Sequence, residues 1–280
     1  MNRFLMVILA ASLLFSCGGS RRTPIADTPA DSVDTVPQDT TEVDSLELLV
    51  TDTPMPKAAD ELFDDFIFNF AANHTLQMER IRFPLPVTRN GKTDSIDQKR
   101  WKIERFFLHQ DYYTVLFDSE RQMKLMNDTS VHKATVEQIY FNTGAVIQYA
   151  FHRIRGVWML TSVKTIPIAQ DRNASFLDFY HQFVTDSVYQ AESLHETVQF
   201  TGPDPDDDFA QMEGVITADS WPAFAPELPE KMIYNIIYGE PTKPTGAIIF
   251  MMRGIANGFE MTMTFKQQQN GRWVLTKLNT

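Results

Sequence analysis

The feature that most constrains the fold of this chain is a short phrase that occurs twice. Residues 156–163 read GVWMLTSV, and residues 271–278 read GRWVLTKL. A glycine, a tryptophan, an apolar pair and a threonine recur in the same order at a shift of 115 residues (156 to 271). Because repetition at a fixed period changes the whole fold assignment, duplication is the first hypothesis to test.

Two further segments repeat in the same order. The stretch Ile96–Trp101 has a counterpart in Ile216–Trp221 at a shift of 120 residues (96 to 216). Four positions of an earlier helical pattern repeat at a shift of 113 residues: Phe66 with Phe179, Phe70 with Phe183, Asn73 with Asp186, and Gln77 with Gln190. The shifts differ only by the length of a loop. We therefore predict two copies of one module, over residues 58–168 and 172–280, each of ordinary domain size.

Each copy changes from helical to strand periodicity along its length. Phe63, Phe66 and Phe70 recur at helical spacing, and a similar pattern begins near Ala174. Later segments such as 147–151 and 259–265 alternate large apolar residues with small or polar ones, which is typical of strands with one buried face. Turn signals separate the last three strands of each copy: Asn142-Thr143-Gly144 and Arg155-Gly156 in the first, Asn257-Gly258 and Asn270-Gly271 in the second. The predicted fold class is α+β, with N-terminal helices packed on a curved antiparallel sheet.

The N-terminus has the pattern of a secreted and lipidated protein. Residues 1–16 combine a basic start with about twelve apolar residues, which suits a signal peptide and is too short to span a bilayer. The segment around Cys17 resembles the lipobox of bacterial lipoproteins, which implies that Cys17 carries the lipid. Cys17 is the only cysteine, so no disulfide can form within the chain.

Residues 17–57 are predicted to be a disordered acidic tether. Between Thr23 and Pro56 the chain has eight acidic residues and no lysine or arginine. Such a composition cannot bury enough apolar surface to offset its ordering entropy. The formal net charge of the whole chain is −11, and no basic stripe is apparent. Nucleic acid is therefore not an expected partner.

A helical first third, followed by a strand meander that ends in G-x-W-x-L-T, resembles the NTF2-like (cystatin-like) superfamily. With the lipobox and the tether, the chain resembles a tandem NTF2-like lipoprotein family of unknown function found in Bacteroides-type bacteria. The resemblance implies that helices close a bent sheet into a cone that can hold a ligand. It also implies an internal pseudo-dimer that is otherwise monomeric. No residue matches an enzyme motif of the superfamily.

The aromatic residues provide the candidate site. Trp101, Trp158, Trp221 and Trp273 could line the cones, although core packing with the indole N–H bonded to the backbone is the alternative. Tyr112 and Tyr113 are further pocket candidates. With His109 and Asp111 they could also perform acid–base chemistry, against the simpler interpretation of a polar loop that enters a strand.

Patterns that could bind metals are weak, so no metal and no cofactor is expected. Glu192 and His195 have the spacing of di-iron helices without the required partners, and His74 and His181 are interpreted as surface positions. Residues 204–208 are rich in aspartate but lack the glycine and glutamate of a calcium loop. Methionines that could bind copper(I), namely Met251, Met252, Met261 and Met263, fit an apolar core better.

The sequence thus predicts an envelope lipoprotein of unknown specific activity. We expect it to bind a small molecule or an envelope protein through its NTF2-like modules, and to be anchored in the outer membrane facing the periplasm. The alternative is a hydrolase or isomerase that acts on a small apolar substrate in one cone. An open cone with converging polar side chains would favour a ligand site.

Overall fold

The computed structural model describes residues 57–204 and 206–280, and no helix of this part is long and apolar enough to cross a membrane. The predicted signal peptide and the lipidation at Cys17 lie outside the described residues. The α-helices are α1 (Phe63–Ala72), α2 (His74–Arg80), α3 (Glu120–Met123), α4 (Ala174–Thr185) and α5 (Ser187–Glu192). Short 3-10 helices cover Lys57–Asp60, Gln98–Arg100, Phe106–His109, Lys124–Asn127, Ile168–Gln170 and Trp221–Ala223.

Twelve strands make up the rest of the regular structure in the described part. Those of the first copy are β1 (Leu85–Arg89), β2 (Lys92–Ile96), β3 (Tyr112–Phe117), β4 (Lys133–Tyr140), β5 (Ala145–Ile154) and β6 (Val157–Pro167). Those of the second copy are β7 (Leu194–Asp204), β8 (Asp207–Ile216), β9 (Met232–Tyr238), β10 (Ala247–Gly254), β11 (Glu260–Gln267) and β12 (Trp273–Asn279). The α+β class and the two helical starts are confirmed.

The two sheets exchange a strand. Their orders are β2-β1-β6-β5-β4-β9 and β8-β7-β12-β11-β10-β3, so the third strand of each copy completes the sheet of the other. The meanders β4-β5-β6 and β10-β11-β12 are antiparallel as predicted, whereas β1 with β6 and β7 with β12 pair in parallel. The predicted boundary near residue 170 divides the copies along the chain, but each hydrogen-bonded sheet spans it.

The exchanged strands cross where the copies meet. The Thr114 hydroxyl donates to the Tyr234 carbonyl oxygen and accepts from its backbone N–H, at 2.6 and 2.9 Å. The Asn235 side-chain oxygen accepts from the backbone N–H of Leu116. All three side chains of this crossing, on Thr114, Tyr234 and Asn235, are buried. The junction is therefore built from polar contacts enclosed by apolar packing.

The matched residues make matched contacts in both copies. Asn73 caps α2 through the backbone N–H of Leu76, and Asp186 caps α5 through that of Val188. In the Trp-x-Leu-Thr phrase, the Thr161 and Thr276 hydroxyls both donate, at 3.0 Å, to a carbonyl beside a β-bulge. The repeated threonine thus stabilises an irregular point of each sheet. The duplication predicted from sequence is visible as repeated hydrogen bonds.

Each copy has its own aromatic core against its own helix. In the first core, Phe63, Phe66 and Phe70 from α1 surround Phe151. In the second, the equivalent phenylalanines of α4 surround Phe265. The exchanged strand β9 adds Tyr238 to the first core, and β3 adds Leu116 to the second. Packing therefore links the copies as well as the backbone ladders do.

Candidate functional site

A cavity of about 270 Å³ opens in the cone of the first copy. It lies between the inner face of β1, β5 and β6 and the segment after β2. Its walls combine apolar side chains, one tryptophan, one carboxylate and three cationic side chains. The lining residues are Val87, Arg89, Ile96, Arg100, Trp101, Lys102, Glu104, Ile147, Tyr149, Val163 and Thr165.

Glu104 is the polar centre of this cavity. Its Oε2 atom accepts a hydrogen bond from the Tyr149 hydroxyl at 3.0 Å. Its Oε1 atom accepts from the backbone N–H of Phe106 at 3.0 Å and from the Gln138 amide at 3.2 Å. A carboxylate has about four acceptor positions, so one remains for a ligand. The carboxylate is therefore fixed in place and still able to accept.

Gln77 of α2 holds the segment that carries Glu104. Its side-chain oxygen accepts from the Trp101 indole N–H at 3.0 Å and from the Glu104 backbone N–H at 3.1 Å. Its amide donates to the carbonyl oxygens of Phe70 and Glu104, both at 2.8 Å. Gln77 is fully buried. Four hydrogen bonds from one buried side chain thus position both Trp101 and Glu104.

The tyrosines around Glu104 are held in the protonated state. Burial raises the pKa of Tyr149 far above its ordinary value, and the nearby Glu104 carboxylate raises it further. Burial and Glu104 likewise raise the pKa values of Tyr140 and Tyr234. These phenols are neutral at any physiological pH. They act as hydrogen-bond donors and acceptors.

The rim of the cavity is cationic. Arg89, Arg100 and Lys102 are exposed there. The Arg100 guanidinium donates to the Ser95 carbonyl oxygen and lies 4.0 Å from the Asp97 carboxylate. Arg89 and Lys102 make no ion pair within residues 57–204 and 206–280. Two cations at the mouth are therefore available to an anionic group.

The second cone has apolar residues at the corresponding positions. The shifts that align the copies match Glu104 with Phe224 and Arg89 with Gly202. The equivalent strand registers of the two sheets align Gln138 with Met252 and Tyr149 with Met263, a shift of 114 residues (138 to 252). Both methionines are buried in the second core. These four polar side chains of the first cone are replaced by glycine or apolar residues in the second.

Two aromatic rings occupy the corresponding part of the second cone, and one of them, Phe224, is 40% exposed. The rings of Phe200 and Phe224 lie 5.3 Å apart. A Cβ atom on Gly202 would lie 2.5 Å from the Phe200 ring and 2.8 Å from the Thr280 hydroxyl oxygen. No side chain fits at Gly202 without displacing Phe200. The residue that occupies this place in the first cone, Arg89, could not be accommodated.

The four tryptophans divide between cavity and core. Trp101 is half-buried and lines the first cone. Trp158 and Trp221 are buried in the two cores, and Trp273 is buried beside a small cavity of about 150 Å³. The indole partners are side chains, Gln77, Gln190 and Ser175, for Trp101, Trp221 and Trp273 respectively. The Trp158 indole N–H is unpaired within the described residues.

The tyrosine and histidine candidates are not brought together at a cavity. Tyr113 is buried in the first core and half-buried Tyr112 packs on the second. His109 ends a 3-10 helix and, like Asp111, is exposed. Burial and the nearby Asp64 raise the pKa of Tyr113 to about 12. The structure therefore separates the proposed acid–base set.

The remaining candidate groups occupy surface or core positions. Glu192 ends α5 while exposed His195 lies on β7, His74 is exposed, and His181 stacks on Phe141 at 5.2 Å. Asp204 and Asp207 border the β7–β8 turn. Met251, Met252, Met261 and Met263 are buried. Among the described residues, no three acidic, histidine or cysteine side chains cluster as a metal site would require.

Two larger depressions, of about 470 and 570 Å³, lie on the other face of the second sheet. They share Glu120, Ile249, Thr264 and Lys277 as lining residues. The side chains of this shared set do not hydrogen-bond to one another. The smaller cone cavity has a fixed carboxylate surrounded by apolar walls, which is the usual composition of a ligand site. We therefore regard the cone as the candidate site.

Two carboxyl groups at the junction of the copies are also perturbed. Burial raises the pKa of Asp64 to about 6 although the Tyr238 hydroxyl donates to it. Burial and the neighbouring Asp171 raise the pKa of Glu137 to about 7. Glu137 accepts from the amides of Asn235 and Gln148 at 2.7 and 2.8 Å. These groups hydrogen-bond across the junction and do not line the cone cavity.

A family model described as a domain of unknown function, DUF4348, matches residues 42–280. The chain belongs to this family. The DUF4348 match covers both copies and both sheets, so the family domain is the tandem unit. No functionally curated protein is significantly similar to the chain.

The DUF4348 chain is similar to a solved NTF2-like protein from Bacteroides fragilis. The two share 40% sequence identity with a TM-score of 0.72, and the match covers 81% of this chain and 98% of the other. The predicted resemblance to a tandem NTF2-like family is therefore confirmed.

Proposed function

We propose that the cone of the first copy binds a small molecule and that the second cone is a structural support. The observation that carries this proposal is the difference between equivalent positions. Glu104 and Tyr149 converge on a cavity in one copy, whereas Phe224 and the buried Met263 occupy the matching positions of the other. The NTF2-like fold, which often encloses a ligand in its cone, agrees with this assignment.

Binding is favoured over catalysis by the hydrogen bonds of Glu104. Acid–base catalysis in the cone would need a second group that titrates near the working pH. Three donors hold the Glu104 carboxylate and leave one acceptor position, while the raised pKa of Tyr149 keeps its phenol protonated. The arrangement suits recognition by a fixed acceptor. An isomerase or hydrolase acting in the same cone is the alternative, and its substrate would be partly polar.

The binding proposal can be tested with a screen of small fragments by ligand-observed NMR on the full chain. Glu104→Phe copies the residue of the second cone, and Phe224→Leu is the matched control. We expect fragments that bind in the millimolar range to be lost in Glu104→Phe and retained in Phe224→Leu. Tyr149→Phe serves as a milder second variant if Glu104→Phe does not fold.

Three outcomes would contradict the proposal. No fragment binds the chain, or the bound fragments are insensitive to Glu104→Phe and Tyr149→Phe, or they are lost in Phe224→Leu. Turnover of a bound fragment, followed by NMR over hours, would support the enzymatic alternative.

We further propose that the protein is a lipoprotein of the cell envelope, anchored through Cys17 in the outer membrane and facing the periplasm. The support is the sequence pattern around Cys17 and the acidic segment that follows it. Metabolic labelling with an alkyne fatty acid should mark the wild-type chain and not Cys17→Ser. Equal labelling of both, or recovery of the wild type in the soluble fraction, would refute the anchor.

The exchanged strands also support a monomer with an internal pseudo-dimer. β3 and β9 complete the opposite sheets, so one chain already contains both halves of a two-fold arrangement. Sedimentation of the full chain in detergent, with matched solvent density, should give the mass of a single chain. A stable dimer would contradict this part of the proposal.

A further inference from the structure

We propose that the ligand of the first cone is a small organic carboxylate with a flat apolar body and a hydroxyl group at its far end. This inference rests on the proposed binding function of the cone. It follows from the separation of charges and apolar surfaces around the cavity.

The cationic rim determines which end of the ligand carries the charge. Arg89 and Lys102 are exposed at the cavity and have no ion-pair partner in the described part of the chain. Arginine binds carboxylates through two parallel hydrogen bonds, and a lysine beside it adds a point charge. An anionic group placed at the mouth would therefore meet positive charge that no described carboxylate neutralises.

Glu104 determines the chemical group at the other end of the ligand. A second carboxylate next to Glu104 would be repelled, since like charges in a partly desolvated site interact unfavourably. The remaining acceptor position of Glu104 instead requires a donor. A hydroxyl supplies one hydrogen bond without adding a charge.

The walls between these two ends determine the body of the ligand. Val87, Ile147 and Val163 form an apolar surface, and the half-buried Trp101 lies among the same lining residues. An aromatic ring can pack against an indole at little entropic cost. The volume of about 270 Å³ lies just below the usual range of drug-sized sites, about 300–1,000 Å³. One ring with two short substituents suits such a space.

Three probes separate these requirements in titration calorimetry at low ionic strength. 4-Hydroxyphenylacetate has both groups, phenylacetate lacks the hydroxyl, and tyramine keeps the phenol but replaces the carboxylate with an ammonium. We expect 4-hydroxyphenylacetate to bind at least about tenfold more tightly than tyramine and several-fold more tightly than phenylacetate. The preference for the anion should weaken at high salt.

Variants assign the effect to named side chains. Combined Arg89→Gln and Lys102→Gln should abolish the preference over tyramine. Lys164→Gln is the matched control, because Lys164 is exposed on β6 beside the inward-facing Val163 and does not line the cavity. Circular dichroism checks that each variant is folded.

The outcomes distinguish this inference from the binding function itself. If tyramine binds as tightly as 4-hydroxyphenylacetate, or the double variant keeps the preference, the carboxylate assignment is wrong. If fragments bind the cone in the NMR screen but none of the three probes does, the proposed ligand class is wrong. If no fragment binds the cone at all, the binding function fails.

Discussion

The two cones of this protein share one framework and differ in what fills it. In both, a glutamine side chain accepts from the indole N–H of the tryptophan that follows the second strand, Gln77 from Trp101 and Gln190 from Trp221. The same glutamines donate to Phe70 and Phe183. The framework was therefore kept after duplication.

The lining diverged around that framework. Three residues after each tryptophan stands Glu104 in the first copy and Phe224 in the second. The first arrangement leaves a cavity with a polar centre, and the second packs aromatic and methionine side chains into the same place. A duplicated fold whose halves exchange strands can devote one half to stability while the other keeps a pocket. This difference leads to five predictions, ordered by the size of the expected effect.

The largest effect tests whether the copies are thermodynamically separate. Phe66→Ala and Phe179→Ala remove equivalent buried rings, and each should cost about 3–5 kcal/mol of unfolding free energy. Because each sheet contains a strand of the other copy, both variants should unfold in a single transition. Urea denaturation followed by circular dichroism and by tryptophan fluorescence measures this. Two transitions, of which a variant shifts only one, would refute the coupling.

The second largest loss of stability is expected at the glutamine that both copies have, Gln77 in the first and Gln190 in the second. Gln77→Leu removes four hydrogen bonds and Gln190→Leu removes two, with the Trp101 and Trp221 indoles among the partners. We expect costs of roughly 2–4 and 1–3 kcal/mol, since buried groups lose their partners. The same urea experiment compares the two. Equal losses would mean that the extra contacts to Glu104 contribute nothing to stability.

The carboxyl groups at the junction of the copies predict that the stability of the wild type changes with pH relative to variants that lack them. Asp64 of the first copy aligns with Leu177 of the second. A folded pKa of about 6, above the unfolded value near 3.9, means that the folded state retains a proton that the unfolded state has lost. The stability of the wild type relative to Asp64→Asn should therefore fall by roughly 2–3 kcal/mol as pH rises from 4 to 6.5.

This pH effect has an independent check at Glu137, whose pKa is raised to about 7 and whose counterpart is Met251. Stability relative to Glu137→Gln should also fall with rising pH, over a window that ends near pH 7. Urea midpoints at four pH values measure both differences. A difference that is constant or rises with pH would contradict the assignment.

A smaller effect concerns the polar centre itself. Tyr149→Phe removes one donor to Glu104 and should cost about 1–2 kcal/mol. Met263→Leu at the equivalent position changes only shape and should cost less than about 1.5 kcal/mol. Only Tyr149→Phe should alter fragment binding. Loss of binding in Met263→Leu would place the ligand in the wrong cone.

The smallest effect is expected where one residue is exchanged without its surroundings. Phe224 is 40% exposed and packs on Phe200, so Phe224→Glu should cost no more than about 1 kcal/mol. It should not create binding of 4-hydroxyphenylacetate, because Met252 and Met263 provide no donors for the new carboxylate. Titration calorimetry of this variant with 4-hydroxyphenylacetate measures whether binding appears. Binding in the second cone would mean that a single carboxylate is enough to create the ligand site.

Much of the framework was predictable because it rests on periodic and repeated residues. The helical phenylalanines identified both cores, and the Trp-Leu-Thr phrase identified the last strand of each copy. The pairs Asn73 with Asp186 and Gln77 with Gln190 make equivalent contacts. Such residues repeat because the same local geometry requires them.

The site was harder to predict. Glu104 lies in an irregular segment and belongs to no motif, and its partners Gln138 and Tyr149 come from strands more than thirty residues later in the sequence. One signal was available: the alignment that pairs Trp101 with Trp221 also pairs Glu104 with Phe224. A comparison of the copies at positions where they differ, rather than where they agree, would have indicated Glu104 as a candidate site residue.

The sequence by itself determined the duplication, the α+β class, the helices and the closing meanders, because local periodicity and turn residues encode these. Only the tertiary structure decided the strand exchange, since β3 and β9 have apolar patterns that would suit either sheet. It also decided which cone is open. That outcome depends on whether side chains distant in sequence, such as Phe200 and Phe224, meet in the same volume.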